Sequence, residues 1–142
     1  MHHILVATDG SDSANRALDA AARIAKITGS KLSILTVGGN LSGDEMRQLA
    51  RAEKDIGAAL DSMSERILID ARKQAEAIGA PDVATEVKWG DPAEAIIEAA
   101  RAGQADTIVI GRRGRGRLAG LLLGSVSQKV ASLAPCVVTI VP

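Results

Sequence analysis

The stretch DTIVIGRRGRGRLAGLLLGSVSQKV, residues 106–130, runs from a strand through a glycine-rich turn into a helix. Thr107, Ile108, Val109 and Ile110 are β-branched, the composition of a buried strand. The loop 111–125 carries five glycines and four arginines. Val126, Val130 and Leu133 then recur at helical spacing until Pro135 stops the run. A strand feeding a helix through a glycine turn is the first half of a βαβ unit.

Four further runs have strand character: HILVAT (3–8), KLSILTV (31–37), ATEVKW (84–89) and CVVTIV (136–141). Helical patterns separate them. Ala14, Ala17, Leu18, Ala21, Ile24 and Ala25 form one stripe, with Ser11 or Asp12 as cap and Gly29 as stop. Ala93, Ile96, Ile97 and Ala100 form another, opened by Asp91 and Pro92. The longest pattern spans 42–79, and Ser42 and Glu45 have capping-box spacing. A straight helix of that length exceeds roughly 50 Å, longer than a domain of this size is wide. Residues 40–50 are therefore expected to form a loop or a separate helix, or Gly57 to mark a break. Strands alternating with helices predict an α/β Rossmann-like fold: an open five-stranded parallel sheet with helices on both faces. Residues 1–142 are expected to form a single domain.

Composition narrows the function. Seventeen basic and 17 acidic residues cancel, so overall charge makes no case for nucleic acid or an anionic membrane. No apolar run reaches the ~20 residues of a membrane span. The start, MHHILVATDG, lacks a signal-peptide pattern, and the single Cys136 cannot form an internal disulfide. These absences suggest a cytoplasmic protein. Cys136 reads as a small core residue and Trp89 as packing or rim. His2 and His3, native or the remnant of a tag, are the two histidines of the chain. They lack partners at metal-ligand spacing, and their position at the start offers no Ser-His-Asp set.

Two turns carry the candidate chemistry. Gly111 and Gly114 follow the fourth strand, and Gly124 precedes the last helix. Glycines let backbone N–H groups approach an anion, and the helix start at Ser125 adds a positive dipole end. Ser125 and Ser127 add hydroxyls; Arg112, Arg113, Arg115 and Arg117 add charge. These features favour a polyphosphate, although a solvated surface loop has the same composition. The loop lacks the Lys-Ser/Thr pair of a Walker A motif and has no GxGxxG. The second turn is ATDGSDS (7–13), where Thr8 and Asp9 end the first strand. A carboxylate there suits a ribose hydroxyl or a nucleotide-bound Mg²⁺. Ligands of open α/β sheets bind beyond the carboxyl ends of strands, where strand order reverses. One ligand served by both turns requires strands one and four to be neighbours, which suggests the order 3-2-1-4-5.

Gly111-x-x-Gly114, nine residues, then Gly124-Ser125 resembles the G-x2-G-x9-G-S/T signature of ATP-binding members of the UspA-like universal stress protein family. ILVATDGSDSA, KWGDPAEAIIEAA and LLLGSVSQKVASLAPCVVTIV resemble that family too, so the likeness covers essentially the whole chain. It implies the open five-stranded sheet, a homodimer and ATP binding, with Mg²⁺ or Mn²⁺ held by the phosphates and no metal site on the protein. Carried onto this chain, it implies that Asp9, with Thr8 beside it, holds the ribose. It implies that Val37 touches the adenine and Ile110 closes the base pocket. Gly111, Gly114, Gly124, Ser125, Val126 and Ser127 would surround ribose and phosphates, with Arg113 on the phosphate side. The pair Arg112-Arg113 stands where the family commonly has small or polar residues, and TVGGN replaces the usual His-Val or Asn-Val.

The function expected is a nucleotide-dependent stress or signalling module with slow hydrolysis at most and no dedicated catalytic residue. A nucleotide-free dimeric scaffold is the alternative, because strand five, 136–141, is an apolar edge that a second copy would cover. A less favoured alternative is an adenylating ATP pyrophosphatase, since TDGSDS (8–13) resembles the S-G-G-x-D-S loop of those enzymes.

Overall fold

A computed structural model of the chain describes residues 2–38, 51, 56–112 and 123–142. Its elements run β1 (His3–Ala7), α1 (Asp12–Thr28), β2 (Lys31–Gly38), α2 (Ile56–Ile78), β3 (Asp82–Trp89), α3 (Pro92–Ala102), β4 (Thr107–Gly111), α4 (Ser125–Leu133) and β5 (Val137–Val141). The five strands form one parallel sheet in the order β3-β2-β1-β4-β5. This is the order that a ligand shared by the two turns suggested. β3 starts two residues before the apolar run because Asp82 and Val83 pair with Lys31 and Leu32.

Both faces of the sheet are buried, which is why the central strands read as continuous apolar runs. Ile4, Val6, Leu32, Ile34 and Val109 point to the face covered by α1 and α2. Leu5, Leu35, Ile108 and Ile110 point to the face covered by α3 and α4. Small residues let the helices lie close: Ala17, Ala21, Ala22 and Ala25 of α1 are fully buried. Ser11 caps α1 by accepting the Ala14 N–H at 3.2 Å, and Gly29 ends it at φ 69°. Asp91 caps α3 by accepting the Glu94 N–H at 2.9 Å. Gly57 lies inside α2; the expected loop or helix over 40–50 lies outside the described residues.

The two histidines are wired into the fold. Asp106 Oδ2 accepts the backbone N–H groups of both His2 and His3 at 2.7 Å, tying the start of β1 to the start of β4. These two bonds lead in holding the Asp106 carboxyl below its ordinary value. The His3 ring touches Gly103 O through Nδ1 at 2.8 Å and Ser33 Oγ through Nε2 at 2.7 Å. A serine–histidine pair therefore exists, although the other ring nitrogen meets a backbone carbonyl and not an aspartate. The parallel register of β1 and β2 brings together residues 30 apart in the chain.

Trp89 and Cys136 occupy edges of the structure. Trp89 is half-exposed, and its six-membered ring lies over Gly38, where a Cβ would come within 2.7 Å of Cη2. Cys136 is half-buried beside the α3/α4 core, and burial raises its thiol pKa.

Candidate functional site

The carboxyl ends of β1 and β4 lie side by side, because Ile4, Leu5 and Val6 pair with Thr107, Ile108 and Val109. The chain leaves β1 toward β2 on one side, and β4 leads to β5 on the other. This is the switch point at which open α/β sheets take ligands.

The turn after β1 is held by its own side chains. Thr8 is buried; its N–H donates to Leu35 O at 2.9 Å and its Oγ1 accepts from Gly10 N at 3.1 Å. Asp9 is half-buried, and Oδ1 accepts the Ser11 N–H at 2.9 Å. Gly10 sits at φ 81°, a conformation suited to glycine. The Asp9 carboxylate thus occupies the Ser11 N–H within the turn. A pyrophosphate loop of the adenylating type would direct such amides at its ligand.

The turn after β4 is anchored at its base. Arg112 donates its N–H to Val141 O at 2.7 Å, and Gly124 donates to Arg112 O at 2.9 Å. The buried Ser127 hydroxyl donates to Gly111 O at 2.8 Å and Arg112 O at 3.0 Å. Its hydrogen is therefore committed to the main chain, which sequence reasoning assigned to ligand donation. Gly111 has a packing reason of its own: a Cβ there would meet Ser13 of α1, with backbone atoms at 2.9 and 3.0 Å. Arg113 and Gly114 lie outside the described residues.

Gly124 precedes α4 in an extended conformation, φ −73° and ψ 167°, with no side-chain cap bond. The first turn of α4 carries no acidic residue. By contrast α1 and α3 are capped by Ser11 and Asp91 and carry Asp12 and Glu94 in their first turns. The start of α4 therefore keeps the positive end of its dipole uncompensated by local carboxylates. Ser125 is exposed there, and Val126 packs against the α3/α4 core.

Apolar positions line the same side. Ala7, Ile110 and Val126 belong to the α3/α4 core, and strand alternation puts half-buried Val37 on the face of Leu35. The structure thus places Thr8, Asp9, Val37, Ile110, Gly111, Gly124, Ser125, Val126 and Ser127 along one edge of the sheet. Lys129 spans the adjacent helices, 3.4 Å from both Asp91 Oδ2 and Glu94 Oε1. These contacts raise the Lys129 pKa; the Glu94 N–H and then Lys129 lower that of Asp91. Sequence reasoning missed this bridge, since α3 and α4 are joined only through β4.

Among the described residues no group of three His, Cys, Asp or Glu side chains could hold a metal ion, and no helix is long and apolar enough to cross a membrane.

Known proteins share this architecture over its whole length. A universal stress protein of Thermus aquaticus is 37% identical, covering 97% of this chain and 96% of its own. A solved universal stress protein in complex with cAMP is 36% identical, with TM-score 0.76 over 99% of this chain and 97% of its own. The universal stress protein UspA from Lactobacillus plantarum is 25% identical, with TM-score 0.80 over 99% of this chain and 97% of its own. The model of the universal stress protein family matches residues 1–142, and the chain belongs to that family.

Proposed function

We propose that residues 1–142 form a single nucleotide-binding domain that takes ATP at the carboxyl edge of the sheet and acts as a stress or signalling module. The observation that carries this reading is the α4 N-terminus: without a side-chain cap, free of acidic residues and tied through Gly124 to Arg112 at the end of β4, the strand beside β1. An anion fits such a terminus. The apolar side chains of Val37, Ile110 and Val126 suit a base, and the Asp9 carboxylate suits a ribose hydroxyl. The 36%-identical relative solved with cAMP supports an adenine nucleotide as the ligand class.

In this reading the base lies against Val37 and Ile110, and Asp9, with Thr8 beneath it, faces the ribose. The amides around Gly111, Gly114, Gly124, Ser125 and Val126 meet the phosphates, and Arg113 adds charge. Ser127 serves from behind by fixing the carbonyls of Gly111 and Arg112. Mg²⁺ or Mn²⁺ would travel with the phosphates. Phosphoryl transfer needs a group that orients the attacking water as well as charge stabilisation. Among the described residues Asp9 alone is placed for that, and Ser11 N already engages it, so turnover is slow at most. We further propose a cytoplasmic homodimer joined through β5.

Calorimetric titration of nucleotide-stripped protein with Mg-ATP tests the reading. Saturable binding is expected, and Gly124→Trp, which puts a side chain at the start of α4, abolishes it while the protein stays folded. Absence of binding heat with ATP, AMP and cAMP alike would overturn the assignment and leave the dimeric scaffold.

A further inference from the structure

The opposite edge of the sheet carries a second constellation, independent of the nucleotide reading. His3 Nδ1 lies 2.8 Å from Gly103 O. A carbonyl oxygen only accepts, so Nδ1 holds the hydrogen and the neutral ring presents its Nε2 lone pair. Ser33 Oγ stands 2.7 Å from that nitrogen and donates to it. A hydroxyl bonded to a base that a third group orients is the arrangement of an activated nucleophile.

The surroundings suit the charge that would develop. Gly103 is the C-cap of α3, and the carbonyl end of a helix stabilises an imidazolium. Asp106 holds the main chain that carries the ring, its Oδ2 accepting the His2 and His3 amides. Lys31, exposed and two residues before Ser33, shares the face of Ser33 by strand alternation and pairs with His3 across the ladder. Its ammonium is available to a developing oxyanion. Ser33 is only half-buried, and no residue of β3 joins the α3/α4 core among the described residues.

We propose that Ser33 and His3 form a nucleophile–base pair that cleaves small carboxylic esters. Ser33 Oγ bonds to the ester carbonyl carbon as its hydrogen passes to His3 Nε2, and the carbonyl π pair moves to oxygen. Collapse breaks the bond to the leaving oxygen, which takes the hydrogen from Nε2 and departs as alcohol. Water then attacks acyl-Ser33 with His3 Nε2 as base. Ser33 Oγ recovers a proton, and the acid is released. Gly103 O is a positioning group.

The test is p-nitrophenyl acetate hydrolysis by the whole chain, with mass spectrometry of the acetylated peptide. The expected result is acetyl on Ser33 and a rate that falls about a hundredfold in Ser33→Ala. His3→Asn keeps an N–H donor for Gly103 O but removes the base, so it loses the rate while its melting curve holds. Ser33→Cys restores acyl transfer. Should His3→Asn unfold, Ser33→Ala still decides, because it removes one hydroxyl. Acetyl found on lysines alone, or unchanged hydrolysis by Ser33→Ala, would overturn the proposal; loss of ATP binding would leave it standing.

Discussion

Gly111 at the end of β4 is pressed against Ser13 in the first turn of α1, so closely that an added Cβ would stand 2.9 Å from the Ser13 carbonyl carbon. The nearest atom is Ser13 Oγ, which is itself buried without a hydrogen-bond partner among the described residues. Gly111→Ala is expected to destabilise by about 1–3 kcal/mol through overpacking. Ser13→Ala removes an unsatisfied hydroxyl and is expected to stabilise by about 1 kcal/mol. The double variant recovers part of the Gly111→Ala loss, because the backbone of Ser13 still obstructs. Urea unfolding of the four proteins measures the coupling.

Ser127 and Ser125 lie two residues apart and should behave oppositely. Ser127 is buried on the carbonyls of Gly111 and Arg112, so Ser127→Ala costs about 1–2 kcal/mol of stability. Ser125 is exposed, so Ser125→Ala leaves the melting temperature unchanged and weakens ATP binding instead. Thermal melts and calorimetry on the same two variants separate anchoring from ligand contact.

Asp106 gives the fold an acid sensitivity. The amides of His2 and His3 favour its ionised form, so its folded pKa lies below the ordinary carboxylate value. Its stabilising contribution is complete above the unfolded pKa and is lost as pH falls through the folded one. Asp106→Asn is therefore expected to melt lower than the parent at neutral pH, with the gap closing as pH falls below the carboxylate range. A gap that stays constant with pH would show that the carboxylate charge is not what holds β1 to β4.

Val137 begins β5, pairs with Thr107 of β4, and leaves 65% of its surface exposed; Leu133 leaves 58%. A charge at this apolar edge should prevent a second copy from pairing along it. Sedimentation at tens of micromolar is expected to show a dimer for the parent and a monomer for Val137→Asp. A monomeric parent would remove the edge-pairing proposal.

Strand runs and helix stripes were legible because burial on both sheet faces leaves long aliphatic runs, and Pro92 and Gly29 punctuate them locally. The expectation that Asp9 and Gly111 serve one ligand made strands one and four neighbours, as the sheet has them. Contacts created by parallel register were not legible. His3 meets Ser33, and Asp106 meets the His2 and His3 amides, across sequence gaps with no local signal. The same holds for Gly111, whose need for a bare α-carbon comes from a helix about a hundred residues earlier. Ser127 carried a donor as expected, but the first carbonyls it meets belong to its own chain.

The indole seated on Gly38 has a practical consequence. The chain has one tryptophan and no tyrosine or phenylalanine, so its near-ultraviolet spectrum comes from a single corner where β2 and β3 end. Emission will follow the loosening of that corner, whereas circular dichroism follows the helices. Superimposable transitions from the two probes would establish that the sheet and its covering layers melt as one cooperative unit.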